Sequence, residues 1–209
     1  MRDRPDDTPL VRIVDDQLSV REAVADLLAS VGLAARGYAS AAEFQQQDDP
    51  ARPGCMVLDV RMPGSSGFDL LATMTAQNAA LPVIFVTGHG DIAMAVRAMK
   101  AGAVDFLAKP FNDQQLIDAV NAAIREDTAR RKTRAIAADA ARRLSTLSEG
   151  EYEVMRLTIE GLRVKQIADR LNISEITVKT RRARMMQKLE TTTLIELFRM
   201  TLVANGADI

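Results

Sequence analysis

LVRIVDD, residues 10–16, is a short run of apolar and β-branched residues that stops at two acids. It is too short for a helix, and its composition suits a strand buried on both faces that ends at a polar loop. The same form recurs as MVLDV at 56–60, LPVIFVT at 81–87 and VDFL at 104–107, with a weaker candidate at 33–38. Between these runs, residues 19–31, 41–47, 67–77 and 91–101 have helical composition, and Gly32 and Gly102 follow two of them where C-terminal caps belong. Strands that alternate with helices predict a doubly wound, flavodoxin-like α/β domain: a five-stranded parallel sheet covered on both faces. Sheets of this kind gather their chemistry at the carboxyl ends of the strands, and Asp15, Asp16, Asp59, Thr87 and Lys109 all fall there.

Three carboxylates at one edge repel each other unless a cation joins them, and hard oxygen donors suit Mg²⁺. With Mg²⁺ and the Lys109 ammonium holding a phosphoryl group, a carboxylate can attack it in line and form an acyl phosphate. The strings IVDD at 13–16, VLDVRMPG at 57–64, VTGHGD at 86–91 and AVDFLAKPF at 103–111 resemble the receiver domain of bacterial two-component response regulators. The resemblance covers residues 9–125 and implies that Asp59 is the phosphoacceptor. It implies further that Asp15, Asp16, Asp59 and the Arg61 carbonyl hold Mg²⁺, that Thr87 and Phe106 are the switch pair, and that Lys109 contacts the phosphate across a cis bond to Pro110. Gln17 departs from the third acid common in close relatives. His89, the sole histidine, excludes a multi-histidine metal site and reads as a loop residue.

The chain has 209 residues, room for two small domains, and its 47% hydrophobic and 26% charged residues exclude disorder throughout. One cysteine, Cys55, excludes an internal disulfide and is expected to be buried among Met56 and Val57. The opening MRDRPDDTP lacks the apolar core of a secretory leader, and no apolar run reaches membrane-spanning length, so a cytoplasmic protein with no membrane partner is expected. Net charge is −1, yet residues 1–125 hold 16 acids against 11 bases while residues 126–209 hold 12 against 16. The basic half points towards nucleic acid.

From residue 113 to 144 the pattern is helical without proline or glycine, and one helix of that length would span roughly 48 Å. Its later part, with Arg130, Arg131, Lys132, Arg134, Arg142 and Arg143, reads as a solvated linker, 126–147. Ser148 and Glu151 have capping-box spacing and open a second, all-helical domain at 148–209, with helices at 151–160, 165–170, 175–189 and 193–204. GLRVKQIADRLNISEITVKTRRARMMQKL, residues 161–189, resembles the LuxR-type helix-turn-helix of the FixJ/NarL family. The resemblance implies binding to double-stranded DNA through helix 175–189, with Lys165, Ser174, Thr177, Lys179, Thr180, Arg181, Arg182, Arg184 and Lys188 as contacts. It makes 193–204 the helix on which DNA-binding domains pair. Val178, Met185 and Leu189 are expected to face inward. Val164 stands where relatives have a polar residue before the helix.

The whole resemblance implies a response regulator, not an enzyme acting on other substrates: a sensor histidine kinase phosphorylates Asp59, and homodimerisation, DNA binding and transcription by RNA polymerase follow. The alternatives are a constitutive DNA-binding regulator with a non-switching receiver, and an Asp-nucleophile hydrolase. Arg61 occupies the position of the acid that the hydrolase requires two residues beyond its nucleophile.

Overall fold

The computed structural model describes residues 8–77, 81–88, 90–204 and 206, so His89 lies outside the described residues. The chain divides between residues 131 and 132 into two compact units. The first runs β1 (Leu10–Val14), α1 (Leu18–Ser30), β2 (Ala34–Tyr38), α2 (Ala41–Gln47), β3 (Gly54–Asp59), β4 (Arg61–Met62), β5 (Ser65–Ser66), α3 (Gly67–Ala76), β6 (Val83–Thr87), α4 (Ile92–Lys100) and β7 (Asp105–Ala108). One helix, α5 (Asp113–Leu144), follows with the bounds expected from the sequence. The five long strands form a parallel sheet in the order β2-β1-β3-β6-β7. The chain moves to one side of β1 to form β2 and to the other to form β3, which opens a crevice beyond the carboxyl ends of β1 and β3. The two-residue strands β4 and β5, an antiparallel pair, were not anticipated.

Alternation along each strand divides the core into two layers. Val11, Ile13, Cys55, Val57, Ile84 and Val86 pack with Val24 and Leu28 of α1 and with Leu116 and Val120 of α5. Val14, Met56, Leu58, Val83 and Phe85 pack with Phe44 of α2 and with Leu70, Leu71 and Met74 of α3. Cys55 is fully buried, as expected, and burial pushes its thiol up to about 12.

Arg12 interrupts the second layer and is itself fully buried. Its Nε donates to Asp48 Oδ1 at 2.9 Å, Nη1 to the Leu10 and Pro53 carbonyls at 3.1 and 3.2 Å, and Nη2 to the Asp49 and Arg52 carbonyls, both at 2.9 Å. All five guanidinium hydrogens therefore have acceptors, the condition under which a buried charge is tolerated. The same loop is held from α5, where buried Asp127 accepts the Gly54 N–H at 2.9 Å and Arg131 donates to the Ala51 carbonyl at 2.7 Å.

The second unit contains α6 (Glu149–Ile159), α7 (Val164–Leu171), α8 (Glu175–Leu189) and α9 (Leu194–Ala204). Val154, Leu157, Ile167, Ala168 and Val178 form one cluster, and Met155, Met185, Leu189 and Leu197 form another with Leu144 and Leu147. Ser148 and Glu151 make the expected capping box on α6. Helix α7 starts at Val164 itself, and Gln166 reaches back to accept the Arg163 N–H at 2.8 Å in place of a polar cap. Asn172 takes the left-handed conformation, φ 51°, in the turn before α8. Among the described residues no helix is long and apolar enough to cross a membrane.

Candidate functional site

The carboxyl ends of β1, β3 and β6 bring Asp15, Asp59 and Thr87 together in the crevice, all three buried. Lys109, which follows β7 through a backbone bond from its N–H to the Thr87 carbonyl at 2.7 Å, extends its ammonium across them. Lys109 Nζ lies 2.7 Å from Asp15 Oδ2 and 3.3 Å from Asp59 Oδ1. The peptide between Lys109 and Pro110 is cis. The remaining carboxylate oxygens are also held: Asp15 Oδ1 accepts the Gln17 N–H at 2.8 Å and Asp59 Oδ2 accepts the Arg61 N–H at 2.7 Å.

Asp59 thus sits where a nucleophile is fixed in direction. Burial raises its carboxyl above the ordinary range, opposed first by the Arg61 N–H and then by the Lys109 charge, and assisted by the nearby charge of Asp15. Asp16 differs from its neighbour in being exposed. Among the described residues no group of three acids, histidines or cysteines stands in a metal-binding arrangement. Asp15 and Asp59 share the Lys109 ammonium, while Asp16, the third carboxylate expected at this edge, faces water. The donors present, carboxylates with one ammonium among three acids, still fit a hard divalent cation in charge and in chemistry.

Two contributors were not singled out in the sequence. Arg21 Nη1 donates to the Asp15 carbonyl at 2.6 Å. Gly67 opens α3 so close to the end of β3 that a Cβ there would clash with the Asp59 carbonyl oxygen and lie 2.9 Å from Phe85. A glycine opening a helix after a short polar loop was the available signal. Phe106, half-buried, packs against the layer of Phe85 and Leu58 and lies against the backbone of Gly90.

In the second unit Ser174 caps α8 by accepting the Thr177 N–H at 3.1 Å. Val178, Met185 and Leu189 are fully buried, as expected. Lys165, Ser174, Lys179, Thr180 and Arg184 are exposed, while Thr177, Arg181 and Arg182 are half-buried. The Arg181 guanidinium lies over Gly150, where a Cβ would come within 2.6 Å of it.

Lys188, expected on a DNA phosphate, is exposed and also makes bonds within the domain. Its Nζ donates to Glu151 Oε2 at 2.6 Å and to the Thr146 carbonyl at 3.0 Å. Lys188 and the Ser148 N–H hold the Glu151 carboxyl down to about 2, against an ordinary value of 4.5. A depressed folded value contributes stability that is complete above the ordinary value and is lost as pH falls towards 2. Amide protection factors at residues 148–160 should therefore fall across this window in the unaltered protein and much less in Glu151→Gln. An equal fall in both would show that the pair does not hold α6.

Two family descriptions match the chain in succession: response regulator receiver domain at residues 11–121, and bacterial regulatory proteins, luxR family, at residues 145–201. The chain belongs to the two-component response regulators.

Nodulation protein W of Bradyrhizobium diazoefficiens is 46% identical over 192 residues, 92% of this chain and 85% of its own length. Transcriptional regulatory protein FixJ of Azorhizobium caulinodans is 43% identical over 203 residues, 97% of this chain and 96% of its own. Among solved structures, response regulator StyR superposes with a TM-score of 0.87 at 43% identity, covering 93% of this chain and 98% of that one. This response regulator is a non-enzymatic regulator with a receiver and a LuxR-type DNA-binding domain, of the type that pairs with histidine kinases and binds DNA.

Proposed function

We propose that Asp59 is the residue through which this response regulator is controlled. The reading is carried by the Lys109 ammonium lying between the Asp15 and Asp59 carboxylates at the switch point of the sheet. The donor is a phosphohistidine of a sensor kinase. An Asp59 oxygen attacks the phosphorus, the new O–P bond replaces the N–P bond, and the imidazole leaves. Lys109 neutralises charge on the phosphoryl oxygens, and the Arg61 N–H holds the second Asp59 oxygen so that the first is aimed. Asp15, Asp16, Asp59 and the Arg61 carbonyl would hold Mg²⁺, which would supply charge neutralisation for the phosphoryl group. The receiver's self-catalysed phosphorylation and dephosphorylation are its only chemistry.

Thr87 then turns to the phosphoryl oxygen and Phe106 turns further inward, reshaping α4 and β7. Ile92, Val96 and Met99 of α4 are exposed and supply the apolar surface on which two copies pair, beside Arg97 and Lys100. Met94 of the same helix is partly buried against the core and lies off this surface. The paired protein binds double-stranded DNA in the cytoplasm and presents it to RNA polymerase. Lys179 and Thr180 reach base edges, and Lys165, Ser174, Thr177, Arg181, Arg182 and Arg184 hold the sugar-phosphate backbone. The domains proposed are a receiver at 9–125, a linker at 126–147 and a DNA-binding domain at 148–209.

The test is incubation with a small phosphodonor, with and without Mg²⁺, read by intact mass and by sedimentation. The expected result is a Mg²⁺-dependent gain of one phosphoryl group together with a shift from monomer to dimer. Phosphoryl uptake with an unchanged monomer fraction would favour the constitutive regulator.

A further inference from the structure

The large hydrophobic side chains of α8 are wholly or partly buried in the domain with one exception. Val178, Met185 and Leu189 are fully buried, whereas Ile176, in the first turn, is 76% exposed. It is the one large hydrophobic of this helix exposed among the described residues. Lys179, Thr180 and Ala183 follow at three, four and seven residues, which places them on the same face, and all three are exposed. Isoleucine favours a helix less than leucine, lysine or glutamate does, and it gains no burial here, so neither local nor tertiary stability accounts for it.

The hydroxyls around it each make a bond within the helix and keep acceptor lone pairs towards the outside. Ser174 Oγ receives the Thr177 N–H and is paired with Thr177 Oγ1 at 2.8 Å. Thr180 Oγ1 donates to the Ile176 carbonyl at 2.9 Å. Outward, the first two turns offer an aliphatic patch bordered by the Lys179 ammonium, on a helix that also carries Arg181, Arg182 and Arg184. A cationic helix of this kind meets a polyanion, and the N-terminal turns of the second helix of a helix-turn-helix enter the major groove. The aliphatic group that a base edge presents in that groove is the C5 methyl of thymine.

We infer that Ile176 is a specificity-determining residue that selects a thymine by packing on its C5 methyl, beside the bases reached by Lys179 and Thr180. The inference rests on α8 being the DNA-reading helix. It assigns an apolar contact to a residue that the charge pattern of the helix passes over.

The test uses the full chain and a duplex selected by it from a random pool, after treatment with a small phosphodonor. Each thymidine of that duplex is replaced singly by deoxyuridine, which removes the C5 methyl and leaves the pairing edge intact. One position per half-site is expected to lose affinity by roughly three- to tenfold for the unaltered protein. The same replacement is expected to leave the affinity of Ile176→Ala unchanged. Because the residue is exposed, Ile176→Ala should melt with the unaltered protein, so a lost preference is not lost folding. Insensitivity of the unaltered protein to every replacement, or an undiminished penalty in Ile176→Ala, overturns this inference and leaves DNA binding standing. Failure to enrich any duplex overturns both.

Discussion

Asp59→Asn is expected to gain no phosphoryl group from a small phosphodonor under conditions in which the unaltered protein gains one. An amide is not a nucleophile at phosphorus, and the neighbouring carboxylate is poorly placed to substitute. Asp15 holds the Lys109 ammonium more tightly than Asp59 does, at 2.7 Å against 3.3 Å, so its oxygen is the less free of the two to attack. A shift in mass that persists in Asp59→Asn would remove the assignment. The variant also carries its own control for folding. Burial raises the Asp59 carboxyl, so the charged form is disfavoured in the folded state and stability falls as pH rises through the folded value. Asn carries no charge, so Asp59→Asn should melt above the unaltered protein at neutral pH, with the difference closing in acid where Asp59 is protonated. A lower melting point at neutral pH would mean that the ion pair with Lys109 outweighs desolvation.

The largest loss of stability is expected at Arg12. Arg12→Ala leaves the Asp48 carboxylate without its charge partner and takes a donor from four backbone carbonyls, of which Pro53 keeps the Leu10 N–H and Arg52 keeps Arg131 while Leu10 and Asp49 lose their side-chain donor. Breaking a buried pair from one side costs about 3–5 kcal/mol. Asp48 keeps the Tyr38 hydroxyl at 2.9 Å, one neutral donor against a charge. Tyr38 is itself pushed up to about 12, by burial first and by Asp48 second. Arg12→Met restores most of the volume without a single donor, and is expected to lose nearly as much. Cys55, the sole cysteine and fully buried on the adjacent strand, reports the opening of this unit directly. Its reaction with a thiol reagent across a urea series should shift to lower urea in both variants. A shift worth less than about 1 kcal/mol in Arg12→Met would show that packing, not hydrogen bonding, is what Arg12 supplies.

Order and polarity of the elements were legible because they follow from local rules. Runs of β-branched residues ending in Asp15, Asp59 and Thr87 mark strands with their carboxyl ends, and alternation with helices forces the strands parallel. Ser148 with Glu151, Ser174 and Asn172 mark helix ends within a few residues of the groups they satisfy. The inward stripe of α8 follows from its period alone.

The same rules fail for a polar side chain whose partner is remote. Lys109 meets Asp15 across 94 residues and Lys188 meets Glu151 across 37. Nothing in the neighbourhood of Lys188 tells that it pairs with Glu151 while Arg184, exposed like it on the same helix, does not. Asp15 and Asp16 are adjacent acids after one strand, and only the position of Lys109 decides that one is buried in an ion pair while the other faces water. Arg12, a charge inside an otherwise apolar strand, is buried because the loop at 48–53 folds over it with acceptors for four of its five hydrogens. Periodicity reports which face a residue occupies, since that depends on backbone geometry over a few residues. What a charged group on that face binds depends on which distant segment the folded chain brings within 3 Å of it, because a charge pair is stabilising only where packing excludes water and supplies the remaining hydrogen bonds.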